Sequence, residues 1–116
     1  MKRIISAFYN SVAGFRHLVR HEAAFKEECI LFVVALPIAW WIAPTVTQFL
    51  LLMSVIGLIM IVEVLNTAIE SVCDALTTEF DANVKVAKDA GSLAVLMAAV
   101  IAIFVWLSAI LAFLVR

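Results

Sequence analysis

Charged residues are absent from two long stretches of the chain, and both stretches are strongly apolar. No Asp, Glu, Lys or Arg occurs between Glu28 and Glu63, and none occurs between Asp89 and Arg116. The first stretch exceeds the ~20 residues that one membrane-spanning helix requires, and residues 43–48, "APTVTQ", interrupt it with a proline and polar groups. The pattern therefore predicts three transmembrane helices, over about residues 25–43, 47–66 and 92–115.

The segment before the first span has a different pattern. Its apolar residues recur at helical spacing, while basic and polar residues fill the other positions. The apolar set comprises Ile4, Ile5, Phe8, Val12, Phe15, Leu18 and Val19. This pattern predicts a cationic amphipathic helix over about residues 2–21, lying on the membrane surface.

Composition and charge agree with a small membrane protein. Hydrophobic residues make up 66% of the 116 residues, which indicates a single all-α membrane domain over residues 1–116. Basic residues precede the first span and recur as Lys85 and Lys88 between the second and third spans, so we expect a cytoplasmic N-terminus. The net charge of -1 indicates no nucleic-acid partner.

The end of the second span carries an unusual stripe of polar residues. Glu63, Asn66, Glu70 and Asp74 fall within roughly 80° of one another on a helix of 3.6 residues per turn. Counting ~20 residues from Thr47 places Glu63 about one turn inside the apolar layer, where a carboxylate is costly and usually serves a polar site. Glu63 is therefore a candidate general base, whereas Asp74 is equally well explained as the solvated end of a helix.

Two further polar clusters lie on the same predicted side of the membrane. The segment "HEAAFKEE", residues 21–28, brings Glu22, Glu27 and Glu28 toward the level of Glu70. Carboxylates from two helices suit Mg²⁺, which takes its remaining ligands from water and phosphate. Solvated charge at a helix junction is the alternative explanation, and it is the favoured one for Glu27.

The segment "VKVAKDAGS", residues 84–92, precedes the third span. Lys88 can meet a phosphate, Gly91 allows a close backbone approach, and Ser92 can cap a helix whose N-terminus favours anions. Lysines are also expected in any cytoplasmic loop. Because glycine occurs only at positions 14, 57 and 91, the chain lacks the glycine-rich phosphate loops of common ATPases and protein kinases.

Three motifs in this order resemble the prokaryotic diacylglycerol kinase family: "EAAFKEE" from Glu22, "IVEVLNTAIESVCD" from Ile61 and "AKDAGSLAVL" from Ala87. The resemblance covers nearly the whole chain. It implies a homotrimer of three-span subunits, each with a surface helix, in the bacterial inner membrane. It also implies transfer of the ATP γ-phosphate to the hydroxyl of diacylglycerol, giving phosphatidic acid.

The resemblance implies roles for individual residues. Glu63 matches the catalytic base, and Glu22 and Glu70 match the ligands of Mg²⁺. The implied nucleotide-binding residues are Arg3, Asn10, Glu22, Asn66, Glu70, Asp74, Glu79, Phe80, Asp81, Lys88 and Asp89. The implied lipid-binding residues are Arg3, Ser11, Arg16, Glu28, Glu63 and Ser92. Asn10 and Phe80 stand where the family pattern has tyrosines, a departure that affects the contacts of the nucleotide base rather than the chemistry at the phosphates.

Other functions remain open on the residues alone. Undecaprenol, like diacylglycerol, presents a hydroxyl near the membrane interface, and relatives in the family phosphorylate it. A small multidrug exporter also keeps a membrane glutamate, but such proteins have four spans with the glutamate in the first. A non-catalytic membrane subunit is disfavoured by three charged clusters on one side.

Overall fold

The computed structural model describes the whole chain from Met1 to Arg116 as four α-helices, which confirms the all-α expectation. Helix α1 spans Lys2–His21, α2 spans Ala23–Ile42, α3 spans Val46–Leu76 and α4 spans Ala82–Leu114.

The break between α1 and α2 occurs at a single residue, Glu22. Its backbone is extended, with φ -116° and ψ 105°, and its N–H donates to the Leu18 carbonyl at 2.8 Å. An edge-to-face contact between Phe15 and Phe25, with ring centroids 5.7 Å apart, fixes the angle between the two helices. Glu22 is thus held at a corner, and its side chain makes no capping hydrogen bond to α2.

The turn between α2 and α3 falls where the first apolar run is interrupted. Helix α2 ends at Ile42, Pro44 follows in the turn, and Thr45 caps α3 by accepting the Gln48 N–H at 3.1 Å. A proline after a helix end and a threonine before a helix start are both locally favourable. This short connection makes α2 and α3 antiparallel neighbours.

Helix α3 is the central element, with α2 and α4 packed against it. The main apolar cluster joins α2 and α3 through Ala35, Ala39, Ile42, Leu52, Met53 and Ile56. On the other side, the small buried residues Ala98 and Ala102 bring α4 close to α3. The Trp106 indole N–H on α4 also donates to the Leu52 carbonyl on α3 at 3.0 Å, which joins these two helices at a second point.

Two helices, α3 with 31 residues and α4 with 33, are long and apolar enough to cross a membrane. Helix α2 has 20 residues, but Lys26, Glu27 and Glu28 lie near its start, so its uncharged part runs only from Cys29 to Ile42. The expectation of an apolar helical membrane protein is therefore met, while the third span stays a prediction.

Helices α3 and α4 extend well beyond their predicted spans. Helix α3 continues past residue 66 to Leu76, and α4 begins at Ala82 rather than near residue 92. Membrane thickness limits the apolar run but not the helix, because an α-helix satisfies its own backbone hydrogen bonds in water as well. The polar clusters consequently stand on rigid helical extensions rather than in loops.

The prediction that Ser92 caps the last helix is wrong. Asp81 is the actual cap, since its Oδ1 accepts the N–H groups of Asn83 at 2.8 Å and Val84 at 3.1 Å. Ser92 lies inside α4, where the backbone N–H groups are already bonded within the helix. No helix N-terminus is therefore available at residue 92 to attract an anion.

Candidate active site

The residues of the polar stripe on α3 face two different helices, α4 and α1. Asn66 faces α4, where it is only 8% exposed and lies against Gly91. Glu70, one turn later, is half-buried and faces α1. The Asn66 Nδ2 donates to the Glu70 Oε1 at 3.2 Å, so the amide links the α4 side of the stripe to its carboxylate side.

A cleft of about 440 Å³ lies between α1 and the C-terminal part of α3. Its acidic residues are Glu22 from the α1–α2 corner, and Glu70 and Asp74 from α3. The remaining lining residues are Gly14, His17, Leu18, Val64, Thr67, Ala68 and Ser71. The fold thus brings together Glu22 and Glu70, which are far apart in the sequence.

Two further carboxylates, Glu63 on α3 and Glu28 on α2, lie next to the uncharged parts of their helices. Glu63 and Glu28 are both half-buried. Glu63 lies within electrostatic range of Glu70 and Glu22, and Glu28 lies within range of Glu63. The Glu28 Oε1 is buried and has no hydrogen-bond partner within the chain. A buried carboxylate oxygen without a partner is unusual in folded proteins.

At the other end of the stripe, α3 and α4 are joined by an ion pair. The Lys88 Nζ donates to the Asp74 Oδ1 at 2.7 Å. That hydrogen bond, with the negative charge of Asp74, raises the pKa of Lys88 above its ordinary value. Asp89 is paired instead with Lys85, at 2.6 Å on the surface of α4.

Comparison with known proteins decides the family. The model of the prokaryotic diacylglycerol kinase family matches residues 9–110, which is most of the chain. This protein belongs to the prokaryotic diacylglycerol kinase family. The resemblance seen in the three motifs is thereby confirmed, and with it the expectation of a lipid kinase.

Several curated relatives named diacylglycerol kinase align along nearly their whole length. The Escherichia coli K12 protein is 41% identical over 104 residues, covering 90% of this chain and 85% of the relative. The Pseudomonas aeruginosa protein is 37% identical over 111 residues, covering 96% and 90%. The Haemophilus influenzae protein is 32% identical over 106 residues, covering 91% and 90%.

Apart from the His17 imidazole, the side chains of the acidic cleft that could bind a metal ion offer only oxygen ligands. Glu22 and Glu70 line it from two different elements, and neither carboxylate is held in an ion pair. No group of three or more His, Cys, Asp or Glu side chains is arranged to hold a metal. This donor set fits Mg²⁺, which is commonly bound by one or two carboxylates together with substrate phosphates and water.

Several residues that the diacylglycerol kinase resemblance implicates lie outside the cleft. On α1, Arg3, Asn10, Ser11 and Arg16 are exposed, and the Ser11 hydroxyl donates to its own helix at the Ala7 carbonyl. In the α3–α4 connection, Glu79, Phe80 and Asp81 are exposed, and Ser92 is exposed on α4. A single chain therefore brings together the carboxylates of the implied site, while these implied residues of α1, of the α3–α4 connection and at position 92 lie on exposed surfaces.

The sequence reasoning missed the cleft residues His17, Thr67 and Ser71. Thr67 and Ser71 follow Glu63 at steps of four residues, so helical spacing could have placed them beside the acidic stripe. His17 had no such signal, because its position depends on how α1 folds back at Glu22. Gly91 was noticed, but the structure places Asn66 at the close approach that was expected for a phosphate.

Proposed function

We propose that this chain transfers the γ-phosphoryl group of ATP to the free hydroxyl of diacylglycerol. The hydroxyl oxygen bonds to the γ-phosphorus, the bond from that phosphorus to the ADP oxygen breaks, and ADP and phosphatidic acid are released. Family membership supports this reaction, and the observation that carries it to particular residues is the acidic cleft, which joins Glu22 and Glu70 beside Glu63.

Glu63 is proposed as the general base that accepts the proton of the lipid hydroxyl. It is half-buried and lies one helical turn closer to the apolar end of α3 than Asn66. A hydroxyl at the glycerol level of a membrane lipid therefore meets Glu63 before the carboxylates nearer to water. Glu28, whose Oε1 has no partner, is proposed to hold the polar part of the same lipid.

Glu22 and Glu70 are proposed to hold Mg²⁺ at the cleft. When bound, the metal ion neutralises charge on the ATP phosphates, which is a major part of catalysis in phosphoryl transfer. The chain itself contributes two half-buried carboxylates on rigid elements, one fixed at the α1–α2 corner and one oriented by the Asn66 amide. Lys88, together with Asp74 and Asp89, is proposed to lie around the phosphates, whereas Asn66, buried against Gly91, acts behind them by orienting Glu70.

The remaining implied residues are proposed to act across subunits of a homotrimer. Arg3, Asn10 and the segment Glu79, Phe80 and Asp81 would then approach the nucleotide, while Ser11, Arg16 and Ser92 would approach the lipid. Their exposure in a single chain supports this arrangement, because exposed side chains are available to a site on a neighbouring copy. The same proposal includes three spans in a bacterial inner membrane with the N-terminus in the cytoplasm.

The acceptor lipid can be tested directly. Purified protein would be supplied with labelled ATP, Mg²⁺ and either diacylglycerol or undecaprenol in mixed micelles. We expect labelled phosphatidic acid, formed faster than any labelled undecaprenyl phosphate. Phosphorylation of undecaprenol but not of diacylglycerol would refute the proposed acceptor while leaving the kinase chemistry in place.

A further inference from the structure

Gly91 and Asn66 are in unusually close contact. A Cβ atom placed on Gly91 would lie 2.1 Å from the Asn66 Oδ1, 3.2 Å from its Cγ and 3.8 Å from its Cβ. The other two glycines have nothing within 4 Å of such an atom. Gly91 is thus the only glycine at which another residue fills the space that a side chain would take. That residue is Asn66, the buried amide of the polar stripe.

The neighbours of Asn66, Glu70 on one side and Gly91 on the other, determine which way its amide points. The Nδ2 group donates to the Glu70 Oε1 at 3.2 Å, while the Oδ1 is buried against Gly91 and accepts no ordinary hydrogen bond. The reversed amide would set its oxygen against the Glu70 carboxylate, and two acceptors repel each other. On the Gly91 side, a Cα–H group can serve as a weak hydrogen-bond donor to an amide oxygen.

We propose that Gly91 is a positioning residue for Glu70, acting through the Asn66 amide. The inference rests on the proposed function, in which Glu70 holds the metal ion. With no side chain at residue 91, the amide fits between α3 and α4, and its N–H fixes one oxygen of Glu70 while the carboxylate faces the cleft. Preorganisation of a ligand by a neighbouring hydrogen bond is a common requirement of metal sites.

The substitution Gly91→Ala isolates this effect. The three atoms nearest to the added methyl group would all belong to the Asn66 side chain, so we expect the amide to turn away while the backbones of α3 and α4 keep their places. Turning the amide removes the hydrogen bond to Glu70. Because hydrogen bonds to charged groups are among the stronger ones, we expect the Mg²⁺ concentration for half-maximal activity to rise about tenfold.

Gly57→Ala is the matched control, since it makes the same chemical change on α3 where nothing lies within 4 Å. We expect Gly57→Ala to leave the Mg²⁺ requirement unchanged and Gly91→Ala to raise it, with near-normal kcat at saturating Mg²⁺. Direct binding of Mg²⁺ to the purified protein, followed by titration calorimetry without turnover, should weaken by a similar factor in Gly91→Ala and stay unchanged in Gly57→Ala. An unchanged Mg²⁺ requirement in Gly91→Ala would overturn the inference. So would a protein that fails to fold, because the geometry calls for movement of one side chain only.

A double-mutant cycle separates positioning from general packing. If Gly91 acts only through the amide, then adding Gly91→Ala to Asn66→Ala should change the Mg²⁺ requirement no further. Independent effects would instead add, and that result would contradict the proposed route. The unsubstituted protein is assayed first with diacylglycerol, so a failure of the kinase proposal is seen separately from a failure of this inference.

Discussion

Asn66 is the only buried polar residue in the chain, and its surroundings explain how the neighbouring carboxylates are arranged. A buried amide is stable only when its polar atoms are accommodated, and here the donor goes to Glu70 while the oxygen rests on Gly91. Glu63 and Glu70 remain half-buried, and Glu70 lines the cleft. At the residue scale, burial therefore separates an orienting amide from the carboxylates that are available for chemistry.

Glu63→Gln removes the proposed base and keeps the size of the side chain. We expect kcat for diacylglycerol phosphorylation to fall by about 10²–10⁴-fold, the usual contribution of a general base. The KM for ATP should change little, because Glu63 lies at the lipid end of the stripe. Initial rates at varied ATP check both quantities.

The control for that variant is Glu27→Gln, which alters an exposed carboxylate on the adjacent helix. It should retain normal kcat. Near-normal activity in Glu63→Gln would show that another group accepts the proton.

Glu70→Gln removes one charged oxygen from the proposed metal site. We expect the Mg²⁺ concentration for half-maximal activity to increase at least tenfold, because a neutral amide oxygen is a weaker ligand for a hard cation than a carboxylate. Titration of activity with Mg²⁺ at fixed ATP measures this, with Glu27→Gln again as the control. A Mg²⁺ dependence identical to that of the unsubstituted protein would remove Glu70 from the metal site.

At the scale of helices, local capping marks where α3 and α4 start. Thr45 begins α3 and Asp81 begins α4, each through a side-chain oxygen that accepts backbone N–H groups. Because α4 starts at Ala82, Lys88 lies on a formed helix and reaches Asp74 across to α3. The caps therefore determine not only helix length but also which polar residues face each other.

Thr45→Ala should lower the free energy of unfolding by about 1 kcal/mol, the usual effect of losing an N-cap oxygen. Thr47→Ala is the matched control, since Thr47 is exposed in the first turn of α3 and makes no capping hydrogen bond. Thermal unfolding in detergent micelles, followed by circular dichroism, compares the two. Equal unfolding midpoints for both variants would contradict a capping role for Thr45.

At the scale of the whole molecule, the chain has little interior of its own. Only 14 of the 116 residues are buried, and many large apolar side chains on α2, α3 and α4 face outward. Such surfaces are suited to lipid or to further copies of the chain. Together with the implied site residues that lie outside the cleft, this exposure supports a site completed by neighbouring subunits.

The homotrimer proposal predicts a defined mass and a sharing of residues. Light scattering of the purified protein in detergent should give the protein mass of three chains. Mixing Glu63→Gln subunits with subunits carrying Arg3→Ala and Phe80→Ala should restore part of the activity that each variant lacks, if those residues serve a neighbour's site. A monomeric mass, or no recovery on mixing, would contradict a shared site.

The sequence by itself determined the helical membrane class and the family of this protein. Charge-free runs, amphipathic spacing and the three motifs are local properties, so they are readable without knowing which helices touch. The same reading placed Glu63, Asn66, Glu70 and Asp74 on one face of a helix. It placed the start of the last helix wrongly near residue 92, because it judged that end by membrane thickness, whereas α4 begins at Ala82 in the polar region.

Only the tertiary structure decided which residues of other helices the polar stripe contacts. It turned Asn66 toward Gly91 on α4, joined Glu22 to Glu70 across a cleft, paired Lys88 with Asp74 and placed His17 in the cleft wall. These relations depend on the corner at Glu22 and on which face of α3 each neighbour covers. Packing between elements sets both, and helical periodicity gives the direction of a side chain around its own axis but not the helix that it meets.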